Sequence, residues 1–250
     1  MQLTPRHVNW LITTNILTLA ALAALLVSGF TTAPAVHKEL FAERINIVDA
    51  NGRTVLAICS KTRIAAPAMD GKTYSAAISP GREHMAGMVF FNDEGDEMGG
   101  LLFNSFRRPD GKHAGVGHLS FDRFKDNQVL ALQYIENATT VQSGLTLYDR
   151  PAQGRFKQSL DLIEEHQTAS PDRKKSIEAT IAGMRQRGEL GFDRVFIGSK
   201  DQTAQLVLKD DHGRSRARLV VNRDNTAALE FLDESGRIIA RYPGPPHGQN

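Results

Sequence analysis

The chain has 250 residues, of which 41% are hydrophobic and 23% charged, and its formal net charge is +2 at neutral pH. This balance is typical of a folded globular protein and excludes wholesale disorder. The small net charge gives no reason to expect nucleic acid as a partner. The single cysteine, Cys59, excludes an intrachain disulfide and lies in an apolar run, where we expect a small core residue.

A long uncharged segment lies near the amino terminus. Residues 1–9 form a short tail, and residues 10–30 contain no Asp, Glu, Lys or Arg. As a helix this segment would span about 31 Å, close to the thickness of the hydrocarbon core of a membrane. Trp10 and Phe30 mark its ends, as aromatic side chains do at membrane interfaces. The sequence therefore predicts a single transmembrane helix, which makes the membrane itself a partner through residues 10–30.

The alternative for this segment is a secretory signal peptide. Ala33-Pro34-Ala35 resembles a small-x-small cleavage site, and cleavage near Ala35 would release a secreted domain. Under either interpretation a signal-like first segment normally directs export of the domain behind it, although the flanking Lys and Arg residues do not decide the orientation. We therefore expect a cell-membrane protein with the bulk of the chain outside the cytoplasm.

A short motif, Asp-x-x-Gly-Arg, occurs three times, beginning at Asp49, Asp210 and Asp233, and a looser copy begins at Asn92. Each copy lies between two apolar runs. An Asp or Asn at the first turn position accepts hydrogen bonds from the backbone, and Gly accepts the positive φ that closes a hairpin with a bulge. The repeats predict a mainly β fold, a meander of hairpins forming a barrel-like or sandwich core.

The rest of the chain is divided by composition and periodicity. Residues 31–40 form a linker, residues 41–242 the β-rich domain, and residues 243–250 a disordered tail. Within the domain, residues 154–189 change to helical spacing, and Ser170-Pro171 is typical of a helix start. We therefore expect a short helical insertion in the β-rich domain.

No nucleophile elbow, phosphate-binding loop or zinc-protease motif occurs in the sequence. The candidates for a pocket are His113, His118 and Asp122, because histidine moves protons or binds metal near neutral pH. Arg214, Arg216 and Arg218 alternate, so a strand would project all three from one face, where they could bind an anion. A solvated face offset by acidic neighbours is the competing interpretation.

These observations favour a non-enzymatic, membrane-anchored protein with a binding or envelope-structural role. Its expected partners are an envelope protein or lipid, and we expect no cofactor and no metal. The acidic residues 93–97 could ligate a hard cation, but acidic hairpin tips are usually solvated. Two alternatives stay open: a binder of a small apolar ligand or lipid in a barrel cavity, and an enzyme with a histidine-based site.

Overall fold

The computed structural model describes residues 4–29 and 37–244. The chain divides into two units, Met1–Ala42 and Glu43–Asn250, and each is described by itself. The helices are α1 (Pro5–Gly29), α2 (Phe156–His166) and α3 (Pro171–Gln186). The strands are β1 (Arg44–Val48), β2 (Thr54–Cys59), β3 (Ala68–Met69), β4 (Lys72–Thr73), β5 (Ala86–Phe91), β6 (Glu97–Arg107), β7 (His113–Asp122), β8 (Gln128–Glu136), β9 (Val141–Asp149), β10 (Phe192–Lys200), β11 (Thr203–Lys209), β12 (Ser215–Val221), β13 (Ala227–Leu232) and β14 (Ile238–Tyr242).

The first unit contains the predicted apolar helix. The stretch Pro5–Leu26 has a mean hydropathy of 1.6, so α1 is long and apolar enough to cross a membrane, a property that signal sequences share. The hydroxyls of Thr14 and Thr18 each donate to the carbonyl oxygen four residues earlier, at 2.8 Å. These bonds satisfy polar groups within the helix itself, as an apolar environment requires. Phe30 and the residues around the possible cleavage site at Ala35 lie outside the described residues, as do residues 245–250 of the predicted tail.

The second unit is built on one sheet of twelve antiparallel strands. Their order follows the chain, β1-β2-β5-β6-β7-β8-β9-β10-β11-β12-β13-β14, and β3 and β4 form a separate small sheet. The predicted meander is confirmed. The expected barrel-like core is not a closed barrel, because β1 and β14 are the two ends of the strand order. Local turn chemistry specifies neighbouring strands, whereas closure needs a pairing between the first and last strands that no local pattern encodes.

The repeated Asp-x-x-Gly-Arg motif forms tight turns with a shared hydrogen-bond pattern. In the first copy, the Asp49 Oδ1 atom accepts from the backbone N–H groups of Asn51 and Arg53 at 2.8 and 2.9 Å. Gly52 has a φ of 80°, and the register shifts by a bulge at the end of β1. The Arg53 guanidinium donates back to Asp49 at 2.9 Å. The copies at Asp210 and Asp233 repeat every one of these contacts.

Strand pairing sorts the side chains of the large sheet into two faces. We call one the open face. Its central row consists of Ile45, Ile58, Met88, Leu101, Leu119, Leu132, Leu145, Ile197, Leu206, Leu219, Leu229 and Tyr242. A second row, with a bulge after Phe90, consists of Ile47, Leu56, Phe90, Gly99, Phe121, Leu130, Leu147, Val195, Leu208, Ala217, Phe231 and Ala240. A third is formed by Ala86, Phe103, Gly117, Tyr134, Ser143, Ser199, Ala204, Val221 and Ala227. No residue in these three rows is charged.

The opposite side is the covered face. Its central row consists of Asn46, Ala57, Val89, Gly100, Ser120, Ala131, Thr146, Phe196, Val207, Arg218, Glu230 and Arg241. The buried side chains of the sheet lie on this face, among them Ala57, Val89 and Ala131, each fully buried. The central row of this face mixes small, polar and charged residues with the apolar Val89, Phe196 and Val207, whereas the open-face rows contain no charged residue.

Two insertions pack together beside this face. The first, between β2 and β5, includes the small sheet and contributes Ala65 to a buried cluster with Ala57, Cys59 and Val89. Cys59 is buried there, as predicted from its apolar run. The second insertion consists of α2 and α3. Leu160 of α2 packs against Met69 and Tyr74 of the first insertion. The insertions leave a cleft between themselves and the sheet.

Candidate functional site

A cleft of about 590 Å³ lies where the two insertions meet the covered face. That volume is in the range of small-molecule binding sites. The insertions supply most of its apolar side chains, and its polar side chains come from the sheet, the β7–β8 turn and the insertions. The lining residues are Pro67, Ala68, Met69, Ile78, Ser79, Arg82, Glu97, Asp122, Asp126, Asn127, Gln128, Tyr148, Arg150, Phe156, Ser159, Leu160, Ile163, Arg185, Leu190, Gly191, Phe192 and Asp193.

A buried ion pair forms part of the cleft wall. The Arg82 Nη1 atom donates to Glu97 Oε1 at 2.9 Å, and Arg82 Nε donates to the Ala65 carbonyl at 3.0 Å. The Arg82 side chain is only 7% exposed. Its Nη2 atom and the Glu97 Oε2 atom are buried without a protein partner among the described residues. Since buried polar groups are almost always hydrogen-bonded, this pair presents one unused donor and one unused acceptor.

Asp122, at the end of β7, adds a third unused group. Its Oδ1 atom is buried without a partner in the part of the chain that the structure describes. Burial, reinforced by the negative charge of Glu97, raises the pKa of the Asp122 carboxyl to about 7. At neutral pH this group is present in both its protonated and ionised forms, so it can donate or accept a hydrogen bond.

Arg150 ties the sheet to the second insertion at the edge of the cleft. Its guanidinium donates to the Gln128 carbonyl at 2.7 Å and to the Leu190 carbonyl at 2.6 Å, and it lies 4.9 Å from the centre of the Tyr148 ring. Burial lowers the pKa of Arg150. These contacts hold the charge in a fixed place at the wall of the cleft, and the guanidinium remains cationic at neutral pH.

The charges of the cleft nearly balance. Its lining includes three arginines and four acids, and the raised pKa of Asp122 removes part of the negative charge. The rest of the wall is largely apolar, with Met69, Phe156 and Leu160 from the insertions. The cleft therefore suits a ligand with an apolar body and an end that is neutral overall yet both donates and accepts hydrogen bonds.

The structure separates the predicted histidine site into two places. His118 and Asp122 share the covered face of β7, because they are four residues apart. His118 contacts the side-chain amides of Gln133 at 2.9 Å and Gln128 at 3.4 Å, and burial together with the charge of Arg82 lowers its pKa. His113 lies on the other face, at the exposed far end of the strand, where it lines a shallow depression with Asn137 and Thr139.

The three alternating arginines are paired with carboxylates. Arg214 donates to Asp210 at 2.8 Å, Arg216 lies 3.5 Å from the same carboxylate, and Arg218 donates to Glu230. Glu230 is only 3% exposed. An anion at this place would have to compete with these fixed acids, so the pattern resembles the solvated, offset face. Anion binding by the three arginines stays a prediction.

The acidic residues after Asn92 also have a positively charged partner. Carboxylates of Asp70, Glu94 and Asp96 approach one another closely enough to hold a cation. The Lys125 ammonium lies among them, 2.7 Å from Glu94 and 3.9 Å from Asp96, and donates to Asp70. Its positive charge stands where a metal ion would bind.

Of the residues in the cleft wall, the sequence pattern singles out Asp122 but not Arg82 or Arg150, and it marks Glu97 only as part of an acidic run. Arg82 lies in a segment rich in Gly, Pro and Ser, and Arg150 precedes a proline, so both are typical of loops. Nothing in their local sequence indicates burial.

The comparisons add no functional information. The chain matches no protein-family model, no curated protein and no solved structure.

Proposed function

We propose that this protein is a membrane-anchored binding protein, and that its cleft takes a small zwitterionic molecule with an apolar body. The observation that carries the proposal is the set of three buried polar atoms without partners among the described residues, Arg82 Nη2, Glu97 Oε2 and Asp122 Oδ1, at the wall of one cleft. Each such atom costs free energy until something bonds to it, so the site is suited to a ligand that supplies those partners.

The chemistry of the three atoms specifies the ligand. The guanidinium is suited to a carboxylate, and the two carboxyl oxygens are suited to an ammonium group. The apolar side chains of the insertions would receive the rest of the molecule. Free apolar amino acids and short apolar peptides combine these properties and fit within about 590 Å³.

The anchor is part of the proposal. The length and composition of α1, with its polar side chains bonded to its own backbone, support a helix that stays in the membrane and holds the cleft outside the cytoplasm. Fractionation of cells expressing the chain with a carboxy-terminal tag tests this. Full-length mass in the membrane fraction with an externally protease-sensitive domain supports it. A soluble product beginning near Val36 supports the cleaved signal peptide, and a domain accessible only from the cytoplasm contradicts export.

The ligand class can be tested with three matched probes. Phenylalanine carries both charges, 3-phenylpropionate only the carboxylate and phenethylamine only the ammonium. In calorimetric titrations of the full chain in mild detergent, we expect phenylalanine to bind at least about tenfold more tightly than either, because a charged hydrogen bond contributes about 1.5–3 kcal/mol. The dipeptide Phe-Leu extends the series, and decanoate represents a purely lipid-like ligand.

Two variants test whether phenylalanine binds in the cleft. Asp122→Asn keeps the shape of the side chain and removes its charge, so it should weaken phenylalanine at least about tenfold. Asp110→Asn, in an exposed turn between β6 and β7, is the matched control and should leave the affinity unchanged. Decanoate binding that is insensitive to Asp122→Asn would favour the apolar-ligand alternative. Failure of all five compounds at millimolar concentration would overturn the proposal.

A further inference from the structure

The three rows of the open face form a large uncharged surface on the side of the sheet opposite the cleft. Its exposed large side chains range from 37% exposed at Tyr134 to 76% at Tyr242. A large apolar side chain has roughly 150–250 Å² of surface, so those on this face together present on the order of 1,000 Å². The largest apolar patch of an ordinary monomer is about 300–600 Å², and larger ones mark interaction sites.

We infer that the open face packs against the open face of a second copy of this chain. A stable interface takes about 800 Å² from each partner, and this face alone provides that area. Two sheets pack face to face at about 10 Å, and a twofold axis brings the same uncharged surface from both copies together. No complementary charge is needed on the partner, in keeping with a face whose three rows contain none.

The alternation of small and large side chains on the open face is suited to such packing. Small residues lie beside large ones along the second row, where Ala217 separates Leu208 from Phe231 in register. Gly117 likewise lies between Phe103 and Tyr134. Large side chains of one sheet can enter the gaps above small residues of another, as in the interior of a sandwich.

A lipid surface explains the open face less well. Peripheral binding to anionic membranes uses Lys and Arg at the contact, and the three rows have neither. Deeper immersion would place the unpaired edges of β1 and β14 in hydrocarbon, where open sheet edges do not occur. A second copy leaves both edges in water and both clefts accessible, since the clefts lie on the covered face.

The test is the mass of the full chain purified in mild detergent, together with thiol cross-linking in native membranes. We expect a dimer. Leu132→Glu and Ile197→Glu, at open-face positions 52% and 49% exposed, should each weaken the dimer at least tenfold. Ile239→Glu is the matched control: Ile239 is 65% exposed and alternates with the open-face residue Ala240, so the dimer should persist.

Detergent could cover the open face and separate the dimer, so cross-linking tests the dimer in native membranes. In a Cys59→Ala background, Leu132→Cys should give cross-linked dimers in the membrane, and Ser235→Cys, in the β13–β14 turn, should not. A monomer in detergent without cross-linking from position 132 overturns the inference. A dimer unaffected by Leu132→Glu but lost with Ile239→Glu overturns it in favour of pairing through the edge strand. Monomers that bind anionic vesicles through position 132 overturn it in favour of a lipid surface.

Discussion

The two faces of the large sheet are made from alternate residues of the same strands, yet the exposed face is as rich in large apolar side chains as the buried one. Phe196 and Ile197 are neighbours in β10; the first is 9% exposed on the covered face and the second 49% exposed on the open face. The covered face mixes buried apolar side chains such as Phe196 with small and charged ones, including the buried Glu230, while the open face holds uncharged rows of Leu, Ile and Phe. An antiparallel sheet normally turns its apolar side inward. The insertions pack beside one face of the sheet, and the uncharged rows of the other face stay exposed.

Shortening the two neighbours in β10 should give the largest contrast between the faces. Phe196→Ala removes a buried ring that packs closely over Gly144 and Gly198, and should lower the free energy of unfolding by about 3–5 kcal/mol. Ile197→Ala removes an exposed side chain and should lower it by less than about 1 kcal/mol in the monomer. Denaturant unfolding of the full chain in detergent, below the concentration at which it associates, measures both. Equal losses would show that the two faces are equally buried.

A methyl group added to a glycine should distinguish the faces with a smaller loss of stability. At Gly144, on the covered face, a Cβ would lie 2.5 Å from the Ile197 carbonyl oxygen and 2.6 Å from the Phe196 ring. Gly144→Ala should therefore destabilise the fold by about 1–3 kcal/mol. At Gly117, on the open face, the nearest atom would be 3.7 Å away, in ordinary contact with Tyr134.

Gly117→Ala should be neutral or stabilise by up to about 1 kcal/mol, because it also restricts the unfolded chain. Thermal unfolding of both variants under one set of conditions is the measurement. Destabilisation by Gly117→Ala comparable to that by Gly144→Ala would show that the open face has a tightly packed layer above it.

A further prediction concerns pH and the buried carboxyl of Asp122. Its folded pKa, about 7, lies above the unfolded value of about 4. Between these values the folded state binds more protons, so this group's contribution to stability is full below pH 4 and falls as the pH rises to 7. Asp122→Asn should remove that part of the decline and raise the melting temperature at pH 7.5 relative to the parent, with little change at pH 4.

Asp161, on α2, provides the opposite sign. Its pKa is lowered to about 2, chiefly by bonds from Lys157 and Lys72. Its contribution is present above the unfolded pKa of about 4 and is lost as the pH falls towards 2. Asp161→Asn should therefore lower the melting temperature at pH 7.5. A stability profile in which both variants move in the same direction would contradict the assigned environment of Asp122.

The hairpins and the first helix could be predicted from the sequence because their causes are local. The Asp49 turn needs only an acceptor at its first position and a glycine with positive φ three residues later, and both are within five residues. The length and apolar composition of α1 likewise depend only on its own residues, so the sequence is enough to predict this helix. Strand alternation also places His118 and Asp122 on one face of β7 once the strand is recognised.

Long-range packing, by contrast, settles which face is covered, that the sheet stays open, and where the cleft lies. Arg82, Glu97 and Asp122 come from three separate segments, and their meeting depends on how the insertions pack against the sheet. Strand alternation assigns each residue to one of two faces. It does not determine which face is buried, because both faces carry apolar side chains that other elements could cover. The turns and the apolar helix are thus encoded within short stretches of sequence, whereas the site exists only where distant segments pack together.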